Sequence, residues 1–154
     1  MRYMIDTNII LDVFLAQEPF LASSKAVLDL CESRGISGFI SASSATDLFY
    51  VVRSRLHSTE KAYEALGHVL NIVGVMDVTG DDVQTAFLKK ARDFEDCLLA
   101  VCARSGKCDA IVTRNTRDFD AFDIPLLTPE ELLAKHKVNK LPNSHRTTGG
   151  YASP

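Results

Sequence analysis

Four aspartates in this chain have the residue type and the placement that metal-dependent cleavage of a phosphodiester bond requires. Each stands just after an apolar strand-like run or near the start of a helical one, and they are Asp6, Asp47, Asp96 and Asp118. Carboxylates hold Mg²⁺ or Mn²⁺ ions, which activate water and neutralise charge on the phosphate. An oxygen-only ligand set favours these hard cations over zinc. If the four carboxylates converge, the chain is a phosphodiester-cleaving enzyme.

Two neutral side chains accompany these acids. Asn8 lies two residues after Asp6, and Thr113 ends a later apolar run. Amide and hydroxyl groups at such positions orient a bound water molecule or a carboxylate. We therefore predict Asn8 and Thr113 as supporting residues of the same site.

Hydrophobic periodicity divides the chain into alternating strands and helices. Strands are predicted at residues 2–6, 37–41, 71–78 and 110–113, with an edge strand at 124–127, where a proline is tolerated. Helices are predicted at about 9–17, 19–33, 45–55, 81–91 and 93–104, with further helices starting at 58 and 128. The last begins with Thr128 as N-cap, Pro129 at the first position and Glu131 three residues after the cap.

This alternation predicts an α/β fold with three layers, in which helices cover both faces of a four- or five-stranded parallel sheet. Ligands of such sheets bind beyond the carboxyl ends of the strands. Asp6 and Thr113 stand at such ends, and Asp47 and Asp118 follow others closely. Asp96 would reach the same rim from the start of a helix.

Composition indicates one ordinary globular domain. The chain has 154 residues, of which 46% are hydrophobic and 24% charged. Its apolar runs are too short to span a bilayer, and Asp6 and Asp12 argue against a signal peptide, so we expect a soluble, cytoplasmic protein with no membrane contact. The four cysteines show no Cys-x-x-Cys spacing, which indicates reduced thiols.

Charge is distributed unevenly along the chain. Residues 1–134 carry all 20 acidic groups and 13 basic ones, a formal charge of −7, whereas residues 135–154 carry four basic groups and no acid. An acidic body does not bind nucleic acid by bulk electrostatics, so any such contact must be local and assisted by metal ions. We predict a single domain over residues 1–138 and a flexible basic tail over residues 139–154.

Three segments resemble the PIN-domain ribonucleases, in particular the VapC-like toxins of bacterial toxin-antitoxin systems. They are MIDTN at residues 4–8, DFEDCLLA at residues 93–100 and IVTRNTRDF at residues 111–119. The resemblance extends over nearly all of residues 1–134, and the third segment is the most specific. It implies a PIN-like fold.

The resemblance also implies roles for individual residues. Asp6, Asp96 and Asp118 would bind Mg²⁺ (or Mn²⁺), with Thr113 and Asn115 beside them. The family's second acidic position, early in the helix after the second strand, is usually glutamate and is Asp47 here. Because this carboxylate is one methylene shorter, it would bind the metal through water or not at all.

Three of the acids have structural alternatives. Asp6 could cap the helix that follows it. Ser44 and Asp47 have the spacing of a capping box, in which Asp47 would satisfy a backbone donor instead of a metal. The turn chemistry of residues 118–120 offers another role for Asp118.

Glu95 and Asp96 are adjacent on a helix and project about 100° apart, so at most one points squarely into the site. Asp96 is in phase with Leu99, Ala100 and Ala103, and the resemblance selects it as well. Glu95 is predicted to be a surface acid or to support the site from outside. Asp12 is predicted to be solvated or paired and not catalytic.

Positive groups near the rim would contact the phosphates of a substrate. Arg114 and Arg117 flank Asn115 and are predicted to bind substrate, although Arg114 could equally pair with site carboxylates. Arg53, Arg55 and His57 form a second basic spot, for which solvated helix ends are an equal alternative. Three aromatic residues near these segments are predicted to lie in the core and not to stack on bases: Phe49, Tyr50 and Phe94.

The function implied by the resemblance is a metal-dependent endoribonuclease that cleaves single-stranded RNA and is the toxin of a toxin-antitoxin pair. A separate antitoxin protein would hold it inactive. The alternative is a catalytically impaired PIN scaffold that binds RNA or protein. A homodimer is also expected, through apolar helix surface around Ile10, Val13, Phe14 and Phe20, although the same residues could instead belong to the core.

Overall fold

Five short strands alternate with helices in the computed structural model, which describes residues 1–119 and 122–140, without the side chains of residues 118, 119 and 138–140. The strands are β1 (Arg2–Ile5), β2 (Ser37–Ser41), β3 (Gly74–Met76), β4 (Ala110–Val112) and β5 (Leu126–Leu127). The helices are α1 (Thr7–Phe14), α2 (Leu21–Glu32), α3 (Ala42–Leu56), α4 (Thr59–Ile72), α5 (Gly80–Lys89), α6 (Phe94–Ser105) and α7 (Pro129–Lys140), with a 3₁₀ helix at Thr116–Phe119.

The strands form one parallel sheet in the order β3-β2-β1-β4-β5. The chain builds outward from β1 to β2 and β3, then crosses back to place β4 on the other side of β1. Such a reversal leaves a crevice at the carboxyl ends of the two strands where it occurs. Here those strands are β1 and β4, and pairing of Ile5 with Val112 brings the next residues, Asp6 and Thr113, side by side.

Helices cover both faces of the sheet, which confirms the predicted three-layer α/β fold. Side chains alternate along β1, so Tyr3 and Ile5 enter the core beneath α1, α2, α3, α4 and α7, whereas Met4 enters the core beneath α6. All three are almost completely buried. Burying such a side chain contributes about 1.5–3 kcal/mol, so β1 is anchored from both sides.

The predicted bounds of the third strand are wrong. The strand was expected at residues 71–78, but α4 continues to Ile72 and leaves only Gly74–Met76 to pair. Helix α7 extends to Lys140. The division into a domain over residues 1–138 and a tail over residues 139–154 stays a prediction, and residues 141–154 lie outside the described part of the chain.

The predicted dimer surface is wrong in one residue. Ile10 is 1% exposed and belongs to the core, and Val13 and Phe14 pack partly against it. Phe20 is 37% exposed. The homodimer itself stays a prediction.

Within the described residues, none of the helices has the length and apolar character needed to cross a membrane.

Candidate active site

A cleft of about 430 Å³ opens at the carboxyl ends of β1 and β4. Five acids and two amides line it, namely Asp6, Asp47, Asp93, Glu95, Asp96, Asn8 and Asn115. The sheet order explains why residues from the two ends of the domain meet there. Of the predicted site residues, the cleft thus brings together three of the four aspartates and both amides.

Asp6 is held by its neighbours through one carboxylate oxygen. Its Oδ2 atom accepts hydrogen bonds from Thr113 Oγ1 at 2.7 Å and Asn8 Nδ2 at 2.9 Å. Asp6 occupies the N-cap position of α1, yet its side chain makes no capping hydrogen bond. The carboxylate therefore faces the cleft residues, and the capping alternative is wrong for its side chain.

Thr113 and Asn8 complete a small network around Asp6. Thr113 is fully buried, and its Oγ1 atom accepts a hydrogen bond from the backbone N–H of Asn115 at 3.0 Å. The side-chain oxygen of Asn8 accepts from the backbone N–H of Arg114 at 3.4 Å. These bonds tie the start of α1 to the segment after β4 and hold the Asp6 carboxylate in one orientation.

Burial raises the pKa of Asp6 above its ordinary value of 3.8. The hydrogen bond from Thr113, the nearby backbone N–H groups of Thr7 and Asn8, and the charge of Arg114 lower the pKa but do not cancel the effect of burial. The folded protein thus holds this carboxylate in an environment that disfavours its negative charge.

Asp47 lines the cleft from the second turn of α3. The predicted capping box from Ser44 to Asp47 is wrong, because α3 begins three residues earlier than expected. Ser41 is the N-cap, and its Oγ atom accepts from the backbone N–H of Ser44 at 3.1 Å. Asp47 is therefore not needed as a cap, and its half-buried side chain is directed to the cleft.

Both acids at the start of α6 line the cleft, which corrects the expectation that Glu95 would lie outside it. Asp93 is the N-cap of α6, where its Oδ1 atom accepts from the backbone N–H of Asp96 at 3.0 Å. Glu95 and Asp96 both lie in the first turn of α6. The longer side chain of Glu95 can therefore reach the cleft, although helical phase alone directs only Asp96 toward it. The length of the Glu95 side chain is the feature of the sequence that could have indicated its place in the cleft.

The pKa of Glu95 is raised above its ordinary value of 4.5. Partial desolvation is the largest cause, followed by the negative charges of Asp47, Asp6 and Asp93. Glu95 is exposed as a whole residue, so its carboxyl loses only part of its hydration at the cleft. Among the described residues, no Lys, Arg or His forms an ion pair with Asp6, Asp47 or Glu95. The cleft therefore concentrates negative charge.

Arg114 is engaged beneath the rim. Its Nε atom lies 2.8 Å from Oδ2 of Asp12, a completely buried carboxylate on α1, and Ser24 Oγ donates to the same oxygen at 2.7 Å. The guanidinium carbon also lies 4.1 Å from the centre of the Phe20 ring. Asp12 is paired, as predicted, and the partner of Arg114 is this buried acid and not a cleft carboxylate.

The remaining predicted residues lie on the segment after β4. Arg117 is exposed on the 3₁₀ helix. Asp118 belongs to the same helix, but its side chain lies outside the described part of the structure, so its predicted role stays a prediction.

Two aromatic residues are exposed, contrary to prediction. Tyr50 is 60% exposed and lines the cleft, and Phe94 is 47% exposed. Phe49 packs partly against the core, as expected.

The donors that line the cleft suit a hard divalent cation. They are carboxylate and amide oxygens, without His or Cys among the described lining residues. Within that part of the chain, no three acidic, His or Cys side chains are close enough together to form a ready-made metal site. The chemistry of the donor set and its excess negative charge fit the cation.

A family model described as "PIN domain" matches residues 2–117 of the chain. The chain belongs to the PIN-domain family. This PIN domain shows no significant match to a curated protein.

Solved structures share the fold of this PIN domain. DNA-bound VapBC from Salmonella typhimurium has a TM-score of 0.65 at 20% identity, covering 84% of this chain and 98% of that one. VapBC2 from Rickettsia felis, bound to a promoter DNA fragment, has a TM-score of 0.63 at 20% identity, covering 83% and 98%. VapC20 from Mycobacterium tuberculosis, a Sarcin-Ricin loop cleaving toxin, has a TM-score of 0.63 at 17% identity, covering 77% and 94%. At these identities the likeness shows the fold.

Proposed function

We propose that this PIN domain is a Mg²⁺- or Mn²⁺-dependent endoribonuclease that cleaves single-stranded RNA. The observation that carries the proposal is the accumulation of Asp6, Asp47, Glu95 and Asp96 in one cleft at the reversal point of the sheet. Carboxylates that serve only the fold are rarely clustered without a compensating cation, because like charges in a partly desolvated site repel one another.

Asp6 and Asp96 would hold the metal, together with Asp118, as the family resemblance implies. Glu95 and Asp47 are the further carboxylates within this cleft. A bound divalent ion supplies an activated water molecule and neutralises charge that develops on the phosphate. The proposal of a metal cofactor follows from these donors.

The chain's own residues would prepare this chemistry by fixing the carboxylates. Thr113 and Asn8 hold the Oδ2 atom of Asp6 in one orientation. Of the two predicted substrate-binding arginines, we propose that the exposed Arg117 contacts phosphate and that Arg114 acts through the segment it anchors on Asp12. Asn115 lies between them at the rim.

The proposal includes a toxin role and a protein partner. The Salmonella and Rickettsia neighbours were solved as VapBC assemblies, and another neighbour is a toxin-antitoxin complex from Klebsiella pneumoniae. We propose that a cognate antitoxin binds this chain and covers the acidic cleft, and that the chain forms a homodimer.

The test is cleavage of single-stranded oligoribonucleotides by the purified chain, freed of any partner, with Mg²⁺ or Mn²⁺ and with EDTA. Cleavage should require the metal. Asp6→Asn and Asp96→Asn should each lower the rate by more than the roughly 10- to 100-fold that loss of an outer-shell partner causes. Asp29→Asn, which removes an exposed acid of α2 paired with Lys25, should leave the rate unchanged.

Absence of metal-dependent cleavage on every RNA tried, or full activity in both cleft variants, would refute the nuclease proposal. RNA binding in EDTA without turnover on addition of metal would favour the alternative of an impaired RNA-binding scaffold.

A further inference from the structure

A second cavity, of about 450 Å³, lies beside the acidic cleft along α3. Its wall on α3 is formed by Tyr50, Arg53, Ser54 and His57, a spacing that puts all four side chains on one face of a helix. Ser58 and Thr59, where α4 begins, close the other side. The cavity is thus a groove at the junction of α3 and α4.

Tyr50 lines both the groove and the acidic cleft. Asp47, one turn earlier on α3, lines the cleft, so the same helix face runs continuously from Asp47 to His57. Along the helix axis, Arg53 lies about 9 Å beyond Asp47. A strand of nucleic acid with a phosphate in the cleft would therefore place a neighbouring nucleotide over Tyr50 and the groove.

The groove differs from the cleft in charge. Arg53 is exposed, and among the described residues no carboxylate forms an ion pair with it. Its guanidinium is therefore available for bidentate binding of a phosphate, and the hydroxyls of Ser54 and Thr59 are of a type that also contacts phosphate oxygens. Arg55, on the same helix, does not line this groove.

The ring of Tyr50 is placed for stacking. It is 60% exposed, and its centre lies 5.3 Å from that of Phe49, with the two rings nearly perpendicular. Phe49 is in turn packed against Tyr63 and the core. An exposed aromatic ring that is held by a partly buried one is a suitable platform for a nucleobase.

We propose that this groove is a nucleotide subsite for single-stranded RNA, in which Tyr50 stacks on a base next to the cleaved bond and Arg53 and His57 bind the adjoining phosphate. The proposal rests on the endoribonuclease function above. The groove lies next to the cleft, it carries an exposed ring, and its Arg53 has no ion pair with a carboxylate of the described residues. These features favour RNA over an acidic protein segment.

His57 can be replaced by glycine without straining the backbone. It ends α3 with left-handed backbone angles, φ 49° and ψ 36°, which glycine adopts without steric cost. His57→Gly should therefore remove the imidazole and preserve the fold. Lys90, at the same kind of position after α5 with φ 52° and ψ 34°, provides the matched control Lys90→Gly.

The experiment measures anisotropy of a labelled single-stranded oligoribonucleotide with the full chain in EDTA, where no cleavage occurs. Arg53→Gln should weaken binding about tenfold and reduce the slope of log affinity against log salt by about one. Tyr50→Ala should weaken binding about tenfold with little change in that slope. His57→Gly should weaken binding, whereas Arg55→Gln and Lys90→Gly should match the wild type.

Cleavage assays with metal separate this proposal from the proposed nuclease function. If the wild type cleaves RNA, Arg53→Gln should raise KM with little change in kcat, and its defect should disappear on the shortest oligomers that are still cut. If Arg53→Gln and His57→Gly behave as their controls in both assays, the groove is not an RNA subsite and a protein contact becomes the better interpretation. If the wild type binds RNA through the groove but cleaves none, only the nuclease function fails.

Discussion

Two buried aspartates on the same helix segment have opposite surroundings. Asp12 is completely buried on α1 and lies 2.8 Å from Arg114, with Ser24 as a hydrogen-bond donor. Asp6, just before α1, is 9% exposed, accepts hydrogen bonds from neutral groups and has no ion-pair partner among the described residues. Burying a charge costs free energy. The ion pair of Asp12 offsets this cost, whereas the charge of Asp6 has no such partner among the described residues and lowers the stability of the fold.

We interpret this difference as that between a structural acid, Asp12, and the proposed metal ligand, Asp6. Arg114 is near both aspartates: its charge lowers the pKa of Asp6, and its side chain pairs with Asp12 in the last turn of α1. Its place beside Asp12 anchors the segment after β4 and leaves the charge of Asp6 for a ligand.

Loss of the Arg114 guanidinium should have the largest effect. Arg114→Met keeps an extended apolar side chain over Phe20 but leaves Asp12 buried without its cation. Removing one partner of a buried pair costs about 3–5 kcal/mol, so the free energy of unfolding should fall by that order. Urea denaturation of Arg114→Met and of the exposed control Arg117→Met measures it, and equal losses in the two variants would contradict a special role for the pair.

A metal ion should stabilise the folded chain through the cleft. Ligand binding to the native state adds about 2.7 kcal/mol when the ligand is at 100 times its Kd. Mg²⁺ or Mn²⁺ should therefore raise the Tm of the wild type and of Asp29→Asn, and should raise that of Asp6→Asn much less. An equal response in Asp6→Asn would place the metal elsewhere.

Thr113 should matter through its hydroxyl group. Thr113→Val removes the 2.7 Å hydrogen bond to Asp6 and leaves a buried carboxylate oxygen with one donor fewer. The expected loss of unfolding free energy is about 1–3 kcal/mol. Thr113→Ser keeps the hydroxyl and should lose less, and a serine variant as unstable as the valine variant would show that packing, not the hydrogen bond, is responsible.

Neutralising Asp6 should have a small effect of opposite sign on stability. Since burial raises the pKa of Asp6 in the folded state, the native protein binds more protons than the unfolded one as pH rises from 3.8 through the raised pKa, and stability falls over that window. In EDTA at pH 7, Asp6→Asn should therefore be slightly more stable than the wild type. A pH series of denaturation curves tests it, because the variant should show a smaller decline than the wild type.

The sequence was sufficient where one short-range rule decides the outcome. The helix start at residues 128–131 has the predicted capping box, with Thr128 and Glu131 each accepting a hydrogen bond from the other's backbone N–H. Apolar runs between turns predicted a parallel sheet of four or five strands, and the structure has five. The strand that follows Pro125, β5, lies at the edge, where a missing backbone donor is tolerated.

The sequence failed where two rules compete over a few residues. Ser41 and Ser44 are both good N-caps, and Ser41, the last residue of β2, is the one that caps α3. Glu95 and Asp96 both line the cleft, so helical phase did not distinguish between the two neighbours. The pairing of Arg114 with Asp12, a separation of 102 residues, depends on the sheet order and has no local signal.

The central place of β1 also determines when the cleft can exist during synthesis. β1 precedes β4 along the chain, and Thr113, which holds Asp6, follows that aspartate by 107 residues. Until β4 emerges, β1 has one open edge and Asp6 lacks its donor. A nascent chain therefore carries only fragments of the cleft until residue 113 has been synthesised, so any chemistry that depends on the fixed Asp6 carboxylate begins only after that point.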